Sequence, residues 1–164
     1  RGLDAARYRR RPRMLPSRGP LRMMFHADGL LPPPEGNWVF VFGSNLAGRH
    51  GAGAAKAARQ YFGAEMGVGE GFTGDAYALP TKDRSLSTLS WPQVRLSVRT
   101  FLAAAAARPD RQYFVTRVGC GLAGFADIEV APLFRNAPAN FSFAEEWRRF
   151  VEARPIEEVD RQDD

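Results

Sequence analysis

The sequence predicts an α/β fold, and three observations predict it. Unbroken apolar runs of strand length recur along the chain, a loop of glycine and small polar residues follows each at once, and helix-forming stretches come after the loops. In that order the elements read as strand, loop and helix units arranged on one sheet.

Trp38-Val39-Phe40-Val41-Phe42 is continuous, aromatic and β-branched, as expected of a central strand covered on both faces. Residues 43–50 form a loop, and residues 51–62 are dense in alanine, which predicts a helix lying close to the sheet. A glycine-rich stretch spans residues 63–74. Residues 76–80 predict a second strand, ending at Thr81-Lys82-Asp83. Ser90 is placed to cap a helix that tolerates Pro92 in its first turn and runs to Ala107. Residues 112–118 predict a third strand and residues 119–125 a second glycine loop, followed by a short helix over 127–134. A last strand is expected over 140–143 and a helical tail over 144–153. No internal repeat is present.

Before these elements, residues 1–35 mix arginine, proline and glycine without periodicity, and Pro32-Pro33-Pro34 cannot donate to a ladder. They are expected to form a disordered arm. Residues 36–153 are read as one folded domain and residues 154–164 as an acidic, flexible tail.

Composition narrows the function. Of 164 residues, 45% are hydrophobic and 25% charged, the balance of a soluble globular protein, and no apolar run reaches the roughly 18 residues of a membrane span. Residues 1–22 carry eight arginines against Asp4, a net +7, leaving fifteen basic and seventeen acidic groups, a net −2, in the rest of the overall +5. The predicted domain therefore has no general attraction for nucleic-acid backbones. One cysteine, Cys120, allows no internal disulfide and suits a reducing compartment. No apolar stretch of secretory type follows the arginines, so a cytoplasmic location is expected. No cluster of metal-ligand spacing and no cofactor motif is found, so neither a metal nor a cofactor is expected.

Ligands of α/β sheets gather at the carboxyl ends of the strands. Three segments belong at that edge: residues 43–53, Thr81-Lys82-Asp83, and residues 119–125. Glycines at 119, 121 and 124 permit positive φ and let amides converge on an anion. No Gly-Lys-Ser/Thr of a Walker loop follows either glycine loop. Gly119-x-Gly121-x-x-Gly124 matches a dinucleotide pattern, but an acidic residue about 20 positions on, of the kind that binds a ribose in a Rossmann domain, is missing from a suitable strand end, and the helix there is short.

Phe42-Gly-Ser-Asn-Leu-Ala-Gly-Arg-His-Gly-Ala-Gly-Ala-Ala resembles the first ligand loop of macrodomains, and Val118-Gly-Cys-Gly-Leu-Ala-Gly-Phe their second. The likeness extends over about residues 38–147. It is nearest to small phage-encoded macrodomain-like proteins and to the branch whose members remove ADP-ribose with a lysine. The resemblance implies a three-layer α/β/α fold around a central mixed sheet. It implies ADP-ribose or a related nucleotide as ligand, and ADP-ribosylated protein or nucleic acid as partner. Asn45 would contact the distal ribose, with Gly51 and Gly53 bringing backbone close to it. The stretch Gly119, Cys120, Gly121, Leu122, Ala123 and Gly124 would hold the diphosphate, and Phe125 would pack on the ribose. Lys82 falls where the glycohydrolases carry their catalytic lysine. It is one of only two lysines beside 21 arginines, and an amine, unlike a guanidinium, can lose its proton and attack a carbon.

Two features depart from the family. Ala123 stands where relatives acting on protein glutamates carry an aspartate, with Asp83 and Asp127 as substitutes. No Gly-Asp-Ile/Leu segment for adenine precedes the first predicted strand, and Asp28 is a poor match. His50 is expected beside the first loop, in solvent or near a phosphate. Cys120 reads as a buried structural thiol. Three functions stay open: an ADP-ribosyl glycohydrolase using Lys82, a non-catalytic reader or sequestering module for a nucleotide signal, and a nucleic-acid binder using the basic arm.

Overall fold

The computed structural model describes residues 22–152. Its centre is a six-stranded mixed sheet with strands β1 (Met24–His26), β2 (Trp38–Asn45), β3 (Gly71–Thr73), β4 (Ala76–Lys82), β5 (Gln112–Val115) and β6 (Phe141–Ala144) in the order β1-β6-β5-β2-β4-β3. Every pairing is parallel except that of edge strand β3 with β4. The helices are α1 (Gly53–Tyr61), α2 (Trp91–Ala106), α3 (Asp127–Val130) and α4 (Arg148–Val151).

Side-chain alternation divides the sheet between two apolar clusters. Phe40 and Phe42 of β2 join Ala76 and Ala78 of β4, Phe114 of β5 and Ala58 of α1. Val39 and Val41 join Tyr77, Leu79, Tyr113 and Val115 on the other face, with Val98 and Phe101 of α2, Phe134, Phe143 and Trp147. Alanines on α1 and β4 opposite the rings of Phe40 and Phe42 leave room for those rings, so bulky and small side chains interdigitate. A one-residue slip of β4 would send Tyr77 and Leu79 against the alanine face, which fixes its register.

The expected disordered arm is corrected in part. Met24, Phe25 and His26 pair in parallel with β6 at Ser142, Phe143 and Ala144, and Pro32 is buried. This strand is held by tertiary contacts rather than by any sequence period. His26 stacks on Phe114 at 3.7 Å between ring centroids, and the Arg148 guanidinium lies 3.9 Å over Phe25. The remainder of the arm, residues 1–21, and the tail beyond residue 152 lie outside the described residues.

Elsewhere the elements differ from expectation mainly at their ends. β5 stops at Val115 because Thr116 turns its hydroxyl onto the Val41 carbonyl at 2.8 Å and Val118 bonds back to Thr116. The helix over 127–134 is one α-turn followed by a 3-10 turn, Ala131–Phe134, that contains Pro132. The predicted tail helix opens as a 3-10 turn, Glu145–Trp147, before α4. Edge strand β3 was not foreseen in the glycine-rich stretch; Phe72 meets Tyr77 edge-on at 4.9 Å and lies under Arg108. No helix among the described residues is long and apolar enough to cross a membrane.

Candidate functional site

A cleft of about 930 Å³ opens at the carboxyl ends of β2, β4 and β5. The parallel pairing of these three neighbours puts their following loops side by side. Gly43, at the end of β2, lies so near the second loop that a Cβ there would stand 3.5 Å from the Gly119 amide. Both glycine loops therefore line one space.

The first loop is shaped by its own polar groups and by the glycine stretch beneath it. Asn45 donates from Nδ2 to the Arg49 carbonyl at 2.9 Å and accepts the Arg49 amide on Oδ1 at 3.0 Å. The expected ribose ligand thus staples its own loop, although it also lines the cleft. Gly48, at φ +68°, rests directly on the backbone of Gly67 and Val68, and Gly69 on that of Asn45 and Leu46. Ser44 donates its hydroxyl to the Gly69 carbonyl. This close approach accounts for Gly48 and Gly69, while Gly63 and Gly74 lie against each other.

After the loop comes α1, whose N-cap is Ala52, with no side-chain cap and no acidic residue in the first turn. Its first intrahelical bond runs from Lys56 to Ala52, so the amides of Gly53, Ala54 and Ala55 have no acceptor in the helix. Gly51 through Ala55 all line the cleft.

In the second loop Gly119, at φ +78°, turns the chain. Cys120 bonds to the Arg117 carbonyl, Gly124 to Gly121, and Phe125 to Gly119. The amides of Gly121, Leu122 and Ala123 donate to no acceptor among the described residues. Gly119 to Ala123 line the cleft, whereas Gly124 and Phe125 do not. Phe125 instead lies against Trp91, 5.6 Å between ring centroids, and behind Gly119, so it supports the loop from below. The expectation that it faces the guest is corrected.

Charge in the cleft is positive. Lys82, half-buried at the end of β4, makes no ion pair or side-chain hydrogen bond among the described residues, and neither does the exposed Arg49 side chain. Arg117 differs: it forks onto Asp127 at 3.0 and 2.6 Å and reaches Asp28 at 3.0 Å. Its hydrogen bonds to Asp127 hold the guanidinium pKa above the ordinary value, and hold the Asp127 carboxyl below its own. Asp28, dismissed on sequence, follows β1 into the cleft and takes part in this network. Arg49, Lys82 and Arg117 against Asp28 leave the lining at a formal +2, with His26 neutral because burial lowers its pKa to about 4.

Chemical candidates besides Lys82 fall away. Burial first, then the Asp127 charge, pushes the Cys120 thiol up to about 12, which disfavours a thiolate; the side chain is half-buried and lines the cleft rather than being fully buried as expected. Asp127 accepts from Arg117 and from the Trp147 indole at 2.7 Å, and Asp83 accepts the amides of Ser85 and Ser87. Neither carboxylate is poised to replace the acid missing at Ala123. His50 is neither solvated nor in the cleft. It is fully buried, edge-on to Phe42 at 5.1 Å, with Nε2 donating to the Glu65 carbonyl at 3.1 Å. No group of three or more potential metal ligands occurs among the described residues.

Fold and site together define an α/β protein with a cationic cleft walled by free backbone amides. Compared with protein-family models the chain matches none, and it matches none of the curated proteins.

Proposed function

We propose that this cleft binds ADP-ribose or a related nucleotide through its diphosphate, within a three-layer macrodomain-like fold. The observation that carries the reading is the convergence of two sets of free amides, at the start of α1 and at residues 121–123, on one cleft of positive charge. An anion between them receives hydrogen bonds without displacing any existing partner, and the dipole of α1 adds to the field. Lys82 is the remaining candidate for chemistry: its amine would attack the anomeric carbon while the bond to the leaving group breaks.

A second reading has its own support. With Asp83 and Asp127 committed to structural bonds and Ala123 in the loop, no acid stands ready to protonate a leaving group, which favours retention of ligand over turnover. Calorimetry with ADP-ribose, ADP and pyrophosphate tests the class, with binding of all three expected and ADP-ribose tightest. Absence of binding rejects it. Lys82→Ala then separates the readings. Loss of ADP-ribose release from modified protein or DNA, with ligand binding kept, supports catalysis; wild-type protein that holds such ligands intact by mass spectrometry supports capture. The nucleic-acid reading rests on the basic arm and is tested by deleting residues 1–21, which spares β1.

A further inference from the structure

His50 is fully buried, yet its two nitrogens gain the fold little stability. Nε2 donates to the Glu65 carbonyl at 3.1 Å, but that carbonyl already accepts the Val68 amide at 3.3 Å, so the imidazole is not its sole partner. Nδ1 is the one buried side-chain nitrogen or oxygen among the described residues that has no hydrogen-bond partner. A buried polar atom left unpaired costs at least as much as one neutral hydrogen bond returns. The remaining contact, edge-on to Phe42 at 5.1 Å, is packing that needs no nitrogen.

Position gives the histidine its use. The first loop is fastened at successive residues: Ser44 to the Gly69 carbonyl, the Gly67 amide to the Gly48 carbonyl, the Arg49 amide to the Asn45 side chain, and His50 to Glu65. After His50 the fastening ends. Gly51, Ala52 and Gly53 are exposed, and a Cβ on Gly51 or Gly53 would meet nothing within 4 Å. No hydrogen bond from outside α1 reaches these three among the described residues. The His50 ring is therefore the last tie to the rest of the fold before the free amides of residues 53–55. A hydrogen bond, unlike apolar packing, fixes direction as well as distance.

We infer that His50, outside the cleft, is a positioning residue for the anion site: its bond to Glu65 sets where α1 begins and so aims the amides of residues 53–55. The inference rests on the nucleotide reading above. His50→Leu and His50→Gln in the full chain test it, by thermal melts, calorimetry with ADP-ribose and pyrophosphate, and ¹⁵N relaxation without ligand. Leucine fills the space and deletes both nitrogens, whereas glutamine keeps an N–H donor. His50→Leu holds Tm within about 4 °C of wild type, since the orphaned atom leaves with the bond. It weakens both ligands about tenfold, because binding must then order the loop. Its amide order parameters at residues 51–53 fall from about 0.85 to below about 0.6. His50→Gln recovers both affinities to within about threefold of wild type by restoring the donor. Unchanged affinity or order in His50→Leu, or no recovery in His50→Gln, overturns the role and leaves the nucleotide reading standing. A Tm that falls with affinity in both variants overturns it as well, reducing the ring to core packing. Wild type that binds neither ligand overturns both.

Discussion

His26 shows how a single side chain ties this fold to pH. Its ring stacks on Phe114, and its Nδ1 lies 2.8 Å from the Ser142 hydroxyl. Burial lowers its pKa from 6.5 to about 4, with Asp28 opposing the shift. Between those values the unfolded chain binds a proton that the folded protein refuses, so stability rises with pH across the window and falls as pH drops from 6.5 to 4. Asp127 acts later and lower. Its depressed pKa, due first to Arg117, adds stability above the ordinary carboxylate value that is lost only as the solution turns more acidic still. Thermal melts from pH 7 to 4 will therefore show a decline that His26→Phe flattens, since phenylalanine keeps the stack and cannot titrate. Leaving the Ser142 hydroxyl without its partner costs that variant about 1 kcal/mol at neutral pH. An unchanged slope would assign the acid sensitivity to other groups.

Among the elements, α1 makes the most pointed statement, because it begins without a cap. Alanine at an N-cap is worth about 1 kcal/mol less than aspartate or serine, and Ala52 leaves the first amides for an outside acceptor. Ala52→Asp should raise the unliganded stability by about 1 kcal/mol in urea titration and weaken nucleotide binding tenfold or more, its carboxylate filling the anion's place. Both changes falling together would show that the cap and the ligand do not compete. Beneath the same loop, Gly48→Ala brings a methyl into the backbone of Gly67 and Val68 at a left-handed residue, with an expected loss of about 2–4 kcal/mol by denaturant unfolding. Elements such as β2, β4 and α2 were legible because each is a long apolar or well-capped run. β1 and β3, three residues each, were not, since single rings and cation-π contacts hold them and leave no period to read.

Across the whole molecule, the meeting of the two glycine loops was legible because both follow strands, and strands of a parallel sheet present their following loops at one edge. The commitments of individual polar groups were not. Asn45 binds the Arg49 backbone while lining the cleft, Phe125 lies behind its loop, His50 is buried, and Asp28 returns to the cleft through a strand too short to predict. Each depends on geometry between distant parts of the chain. Arg117 likewise joins Asp28 and Asp127, 89 and 10 residues away, in one network beside the cleft. The central claim is that amides at residues 53–55 and 121–123 jointly surround an anion. A titration of the ¹⁵N-labelled protein with ADP-ribose, followed by amide chemical shifts, tests it most directly: the largest shifts should fall in both segments and saturate together. Shifts restricted to one segment, or clustered away from both, would contradict it.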